Sequence, residues 1–206
     1  RVFLQHGITI NDGKWLYYEE TKMRLFVCGA QPEYDFIRQC FGYPEGYVQY
    51  LGFCRFDTLH NALVKPRQVL VMPSWRQWLN HKVKSSYELD NVDNFTQTEY
   101  FLRWNGFLNA PALHAFLEEN DLELLFYPHR NVQDNLKYFH AGSERVVLAS
   151  WTEYDIQQIM KESAVMITDY SSVAIDFAYM KKPTLYYQFD EEKFRRGQYA
   201  QGYFDY

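Results

Sequence analysis

The sequence predicts an α/β fold, a Rossmann-like parallel sheet flanked by helices, and two observations carry that prediction. The first is the stretch from Ala164 to Tyr187, which reads as strand, tight polar turn, helix and strand. Val165 to Thr168 is a short apolar, β-branched run. From Ser171 the apolar residues Val173, Ile175, Phe177, Ala178 and Met180 suit a mostly buried helix, which Lys181, Lys182 and Pro183 close before a strand from Thr184 to Tyr187. Such a βαβ unit returns the chain to a parallel neighbour. The second observation is that strand and helix patterns alternate along the rest of the chain, as a doubly wound sheet requires.

Taken in order, Arg1 to Gln5 reads as a short strand that delivers His6-Gly7 to a loop. Leu25 to Gly29 is the next strand. A helix opens at Gln31-Pro32-Glu33, with proline near its first position, and runs to about Phe41, where Gly42 to Gly46 punctuates the chain. Val48 to Leu51 and Gln68 to Met72 are strands ending in Gly52-Phe53-Cys54-Arg55-Phe56-Asp57 and in Pro73-Ser74-Trp75-Arg76. Each arginine has two readings: Arg55 paired with Asp57 and Arg76 stacked on Trp75, or both in contact with a phosphate.

Gln77 to Phe95 is polar and lacks a clear period, so an irregular or mobile insertion is expected there. Thr96-Gln97-Thr98-Glu99 has capping-box spacing ahead of a helix from Tyr100 to about Leu108, and Pro111 starts another that reaches Glu119. Leu122 to Tyr127 is a strand ending in Pro128-His129-Arg130-Asn131; Gln133 to Phe139 reads as a short helix and Arg145 to Ala149 as a strand. Thr152-Glu153-Tyr154-Asp155 repeats the capping-box spacing before a helix to about Glu162, and no strong period follows Gln188. The expected organisation is one domain, with a core over 21–187, a strand and His-Gly loop over 1–20, and a C-terminal extension over 188–206.

Composition narrows the function. With 206 residues and 47% hydrophobic content the chain can bury a substantial core, and a net charge of −5 argues against nucleic acid as the main partner. The three cysteines, Cys28, Cys40 and Cys54, form no Cys-x-x-Cys pair, so buried thiols in a reducing compartment are expected rather than a disulfide frame or zinc site. No apolar run is long enough to span a bilayer. No signal peptide is expected ahead of the fold, and the start at Arg1 without a methionine leads to the expectation that the chain is part of a longer protein.

The turn Asp169-Tyr170-Ser171-Ser172 is where chemistry is best placed. A helix N-terminus presents unpaired N–H groups, and two serines add hydroxyl donors, which together suit a phosphate or pyrophosphate. The competing reading is that Asp169 and Ser171 simply cap the helix. His129 and Arg130 form a basic pair at another strand end, and His6 sits where a strand delivers a side chain to a cleft. Gly-x-Gly-x-x-Gly, the Walker loop, His-Glu-x-x-His, Asp-x-Asp and Gly-x-Ser-x-Gly are all absent. A set of histidines, serines and arginines at successive strand ends suits a metal-independent transfer from a nucleotide diphosphate donor.

In this order, His6-Gly7, Gly52 to Asp57, Pro73-Ser74-Trp75-Arg76, Pro128-His129, Thr168 to Asp176, Arg196-Gly197 and Tyr203-Phe204-Asp205-Tyr206 resemble the CDP-glycerol glycerophosphotransferase family of teichoic-acid polymerases and primases. The resemblance implies the C-terminal, donor-binding half of a GT-B architecture, with an N-terminal acceptor domain outside this chain. It implies attack by an acceptor hydroxyl on the β-phosphorus of CDP-glycerol or a related CDP-polyol, with CMP leaving. His6 matches the general base; His129, Ser171 and Ser172 match groups that hold the donor phosphates, and Arg130, next to His129, is expected to join them. At the edge of that site Asp169 is expected to cap or orient, Asp176 either to reach a ribose hydroxyl or to serve a surface or intrahelical role, and Arg76 and Arg196 to contact the donor.

The resemblance also implies no cofactor or metal, a polymeric or lipid-linked acceptor, and a place at the cytoplasmic face of the bacterial membrane. Two positions depart from the commoner pattern. Ile8-Thr9-Ile10-Asn11 stands where Thr-Pro-Leu-Lys is usual, and Arg130 follows Pro128-His129; both suit a capsule or exopolysaccharide relative. Two other readings stand beside the first: a GT-B glycosyltransferase using a nucleotide sugar, and a nucleotide-binding module inactive in isolation.

Overall fold

Parallel pairing organises the two larger sheets of the computed structural model, which describes residues 1–82, 89–91 and 94–205. The chain divides into two compact units, residues 1–60 with 198–206, and residues 61–197. Within the core expected over 21–187 the first strands build a sheet of their own, and the last residues of the chain return to the first unit, where Asp12 N–H donates to Ala200 O at 3.0 Å.

In the first unit β1 (Val2–Phe3), β2 (Leu25–Cys28) and β3 (Val48–Tyr50) lie parallel in that order. The strand expected within residues 1–20 is β1, and the His-Gly loop follows it. The short α1 (Tyr18–Thr21) and the longer α2 (Gln31–Cys40) link the strands, and Pro32 occupies the first turn of α2 as its missing N–H allows. Leu16, Phe26, Cys28, Ile37, Phe41 and Val48 form the core between sheet and helix. Cys28 is buried as expected, whereas Cys40 and Cys54 are exposed; all three are free thiols.

The second unit holds a five-stranded parallel sheet in the order β10-β9-β4-β7-β8. Its members are β4 (Lys65–Val71), β7 (Glu123–Phe126), β8 (Val146–Leu148), β9 (Ser163–Thr168) and β10 (Thr184–Tyr186). The chain starts at the central β4, steps outward through β7 and β8, then crosses to β9 and β10 on the other side. The reversal opens a crevice between the carboxyl ends of β4 and β9, where open α/β sheets bind ligands.

Helices α3 (Glu99–Leu108) and α4 (Pro111–Glu119) connect β4 to β7, and α5 (Ile156–Glu162) connects β8 to β9. α6 (Val173–Tyr179) then connects β9 to β10, and α7 (Glu191–Gly197) follows. α3 buries Tyr100, Phe101, Trp104 and Leu108, one helical face, against Val71, Leu124 and Phe126 of the sheet. Trp104 is fully buried, and its truncation to Ala is worth about 3–5 kcal/mol.

Both helix caps lie later than the spacing suggested, by two residues and by three. Thr98, not Thr96, caps α3 by accepting from Phe101 N, and Asp155, not Thr152, caps α5 by accepting from Gln158 N. The short helix expected over Gln133 to Phe139 is a 3-10 helix, Arg130–Tyr138. Within the stretch expected to be irregular, β5 (Asn80–Lys82) and β6 (Leu89–Asn91) pair antiparallel as a small ribbon, while 83–88 and 92–93 lie outside the described residues.

Candidate functional site

Three strand ends of the second unit meet at the crevice, and hydrogen bonds tie them together. Val71 of β4 lies in register with Phe126 of β7 and Ile167 of β9, so Pro73–Arg76, Pro128–Arg130 and Asp169–Ser172 leave the same edge of the sheet. Thr168 Oγ1 donates to Met72 O at 2.6 Å, and His129 N–H donates to Pro73 O at 3.1 Å.

Asp169 joins two of these ends. Its Oδ1 accepts from Ser74 N at 2.9 Å, Ser74 Oγ at 2.7 Å and Tyr170 N at 2.7 Å. Its Oδ2 lies 2.9 Å from Arg76 Nη2, an ion pair outside hydrogen-bonding alignment. Arg76 meets Asp190 as well, through Nε at 2.7 Å and Nη2 at 2.9 Å, and its Nη1 donates to Ser74 O and Ser74 Oγ, both at 3.1 Å. Both Arg76 and Asp169 are 0% exposed. Burial alone would push the guanidinium down; the carboxylates of Asp169 and Asp190 outweigh it and hold Arg76 above its ordinary value.

The rings of Tyr100, Tyr170 and Phe194 stand 5.0–5.4 Å from the Arg76 guanidinium carbon, and Tyr170 stacks on Phe194 at 4.0 Å. Within this enclosure the Arg76 charge is committed to two internal carboxylates. Of the two roles expected for Asp169, its contacts are those of orienting: it fixes the turn that leads to the serines.

Ser171 and Ser172 are half-buried at the entry to α6. Ser171 Oγ accepts from Val173 N at 3.4 Å, and Ser172 is the N-cap residue but makes no side-chain cap bond. Its hydroxyl is therefore not spent on the helix. His129 Nδ1 accepts from Asn131 N at 3.2 Å, which places the proton of the neutral ring on Nε2 and makes that atom a donor. The imidazole is half-buried, with its centroid 6.2 Å from that of Trp75.

Arg130 is 54% exposed; its guanidinium lies 4.1 Å from the Trp151 ring centre and 3.6 Å from Asp134. Asp176 lies within α6 and is buried, 5% exposed, which accords with the intrahelical one of its expected roles. Arg196 lies on α7, away from the strand ends in the chain, exposed and paired with Glu192 at 2.5 Å. Among the described residues no three His, Cys, Asp or Glu side chains group as a metal site.

His6 belongs to the first unit. It follows β1 in an exposed position, with its ring 6.2 Å from that of Phe3, while the succeeding Gly7, Ile8, Thr9 and Ile10 are buried. Gln5, immediately before it, has a left-handed φ of 69°, unusual for a residue with a side chain. Sequence reasoning missed three residues that shape these sites: Glu33, Ser74 and Asp190. Only Glu33 carried a local signal, as an acid in the first turn of α2 directly after Pro32.

Residues 9–206 match the family described as CDP-Glycerol:Poly(glycerophosphate) glycerophosphotransferase. The minor teichoic acid biosynthesis protein GgaB of Bacillus subtilis (strain 168) is 34% identical over 195 residues, covering 92% of this chain and 21% of that protein. The teichoic acid poly(glycerol phosphate) polymerase of the same organism is 27% identical over 165 residues, covering 70% of this chain and 19% of that protein.

Among solved structures, the wall teichoic acid polymerase TagF shares the fold with a TM-score of 0.60 at 20% identity, over 89% of this chain and 44% of that one. The chain thus spans about a fifth of the length of these curated relatives. On the match across nearly its whole length, the chain belongs to the CDP-glycerol:poly(glycerophosphate) glycerophosphotransferase family.

Proposed function

We propose that this chain is the donor-handling part of a transferase that moves a polyol phosphate, glycerol phosphate first among them, from a CDP-polyol to a hydroxyl of a cell-wall or capsular polymer or a lipid-linked acceptor. The observation that carries the reading is the strand-end constellation of His129, Ser171 and Ser172 in a chain of this family. A solved TagF variant with 19% identity was soaked with CDPG, which supports a cytidine donor for the relatives.

In this reading His129 Nε2–H and the two serine hydroxyls donate to the pyrophosphate oxygens and stabilise charge that develops there. Arg130 adds positive charge nearby. Asp169 and Arg76 act behind them, by holding the turn and Ser74 in place. His6 takes the acceptor proton as the new O–P bond forms to the β-phosphorus; the bond from that phosphorus to the bridging oxygen breaks, and CMP leaves with the electron pair. The hydrogen-bond donors named here do the work assigned elsewhere to a metal, and the transfer is proposed to need none.

An acceptor-binding domain preceding this chain would complete the enzyme. Among the described residues no helix is long and apolar enough to cross a membrane, and attachment to the inner face of the bacterial membrane is proposed to be peripheral.

Calorimetric titration of this chain with CDP-glycerol, CDP-ribitol, CDP and UDP-glucose tests the donor assignment. Cytidine ligands are expected to bind, and more weakly to a Ser171→Ala, Ser172→Ala double variant. A preference for UDP-glucose would replace the reading with a nucleotide-sugar glycosyltransferase.

A further inference from the structure

We propose that Glu33 is a positioning residue for His6: its buried carboxylate is a strut that fixes the His-Gly loop to the start of α2. The inference rests on the reading of His6 as the general base. Glu33 stands in the first turn of α2 and is 0% exposed. Its two oxygens have different tasks. Oε2 accepts from Gly29 N at 2.7 Å, which is the ordinary work of an acid in the first helical turn reaching back to the preceding chain.

Oε1 points the other way, accepting from Thr9 N at 2.6 Å and from Gln5 Nε2 at 3.0 Å. A cap needs neither of those bonds. They hold the residue just before His6 and the residue three beyond it, so the loop that carries the imidazole is gripped on both sides.

Two further observations fit a built support. Gln5 Nε2 also donates to Thr9 Oγ1 at 3.2 Å, closing the loop across its base. Gln5 adopts the left-handed φ of 69° to do so and leaves its Oε1 buried with no hydrogen-bond partner among the described residues, two local costs that neighbouring bonds must offset. No cation stands among these partners, so the carboxylate is held by N–H groups and the Thr9 hydroxyl. A glutamine at this position has one acceptor oxygen and one amide, and the amide would confront an N–H group at one end of the strut. Glu33→Gln therefore keeps the volume and releases either the loop or the cap.

The test is steady-state transfer from CDP-glycerol to a lipid-linked acceptor by the full-length protein, with KM and kcat measured separately. Glu33→Gln is expected to lower kcat at least tenfold, to leave the KM for CDP-glycerol within twofold, and to keep a native circular dichroism spectrum. Gln5→Ala cuts the same strut from the loop side and is expected to show the same split. The double variant is expected to be no slower than the worse single one, because both remove one connection.

An unchanged kcat in both variants, a matching rise in KM, or losses that multiply in the double variant overturns the proposal. If Glu33→Gln does not fold, Gln5→Ala carries the same decision alone. His6→Ala run in parallel separates the two levels. An active His6→Ala sinks the general-base reading and this inference with it, whereas an inactive His6→Ala beside fully active strut variants sinks this inference only.

Discussion

Arg76 and Asp190 face each other as a two-pronged pair, Nε to Oδ2 at 2.7 Å and Nη2 to Oδ1 at 2.9 Å, across 114 positions of sequence. With Asp169 on the same guanidinium, a single buried cation joins the end of β4, the end of β9 and the approach to α7. Removing that cation leaves two carboxylates facing each other in the interior. Arg76→Met is therefore expected to destabilise the protein by about 3–5 kcal/mol, read by urea denaturation. Arg76→Lys is expected to recover only part of this, since an ammonium cannot form the fork. A loss under about 1 kcal/mol for Arg76→Met would show that the network adds nothing to stability.

The serines are expected to act on the donor, not on the fold. Ser172 makes no cap bond and Ser171 only a long one, so replacing both by Ala should leave thermal unfolding nearly unchanged. Affinity for CDP-glycerol should fall at least tenfold, as expected when hydrogen bonds to a charged group worth about 1.5–3 kcal/mol are lost. Calorimetry on the double variant decides this, and a large drop in melting temperature with unaltered affinity would assign the serines to the helix.

His6 is expected to separate binding from turnover. His6→Ala in the full-length protein should abolish transfer while the dissociation constant for CDP-glycerol stays within twofold of the parent. Equal damage to both would make His6 part of donor binding.

Metal dependence gives an independent check on the phosphate clamp. Transfer by the full-length protein is expected to survive a chelator, because the hydrogen-bond donors named above need no ion to hold the phosphates. Activity that disappears with the chelator and returns with magnesium would refute this.

Glu33 carries a pH signature. Burial pushes its carboxyl above the ordinary glutamate range, against the pull of the N–H groups of Thr9, Gly29 and Ala30. A raised folded value means the native state binds the proton more tightly than the unfolded chain does. Its contribution to stability is therefore complete below the ordinary glutamate range and is lost as pH rises through the raised value. The melting temperature of the parent relative to Glu33→Gln is expected to fall across that window and then level off. A difference that stays constant, or that grows with pH, would mean that Glu33 is not held above its ordinary value.

The sequence by itself determined the alternation of strands and helices, the presence of polar residues at successive strand ends, and the family. These are local or linear properties. The βαβ unit is written in the apolar run of Val165–Thr168, the buried face of Val173–Met180 and the stop at Pro183. The family is written in short motifs spread along the chain.

Tertiary structure decided which of those polar residues face outward. Asp169, Ser171 and Ser172 sit within four positions, yet Asp169 turns inward to Ser74, 95 positions away, while Ser172 keeps a hydroxyl uncommitted to the helix. Arg76 and Arg130 follow equivalent strands, but one is enclosed by Asp169, Asp190 and a ring of aromatics, and the other lies open on Trp151. Burying a charge is tolerable only where a partner of opposite sign is packed against it. That partner is supplied by distant chain, so no spacing near Arg76 announced it. The division into two units has the same origin: β1–β3 and β4–β10 share a local pattern, and only strand pairing, a long-range hydrogen-bond choice, separates their sheets.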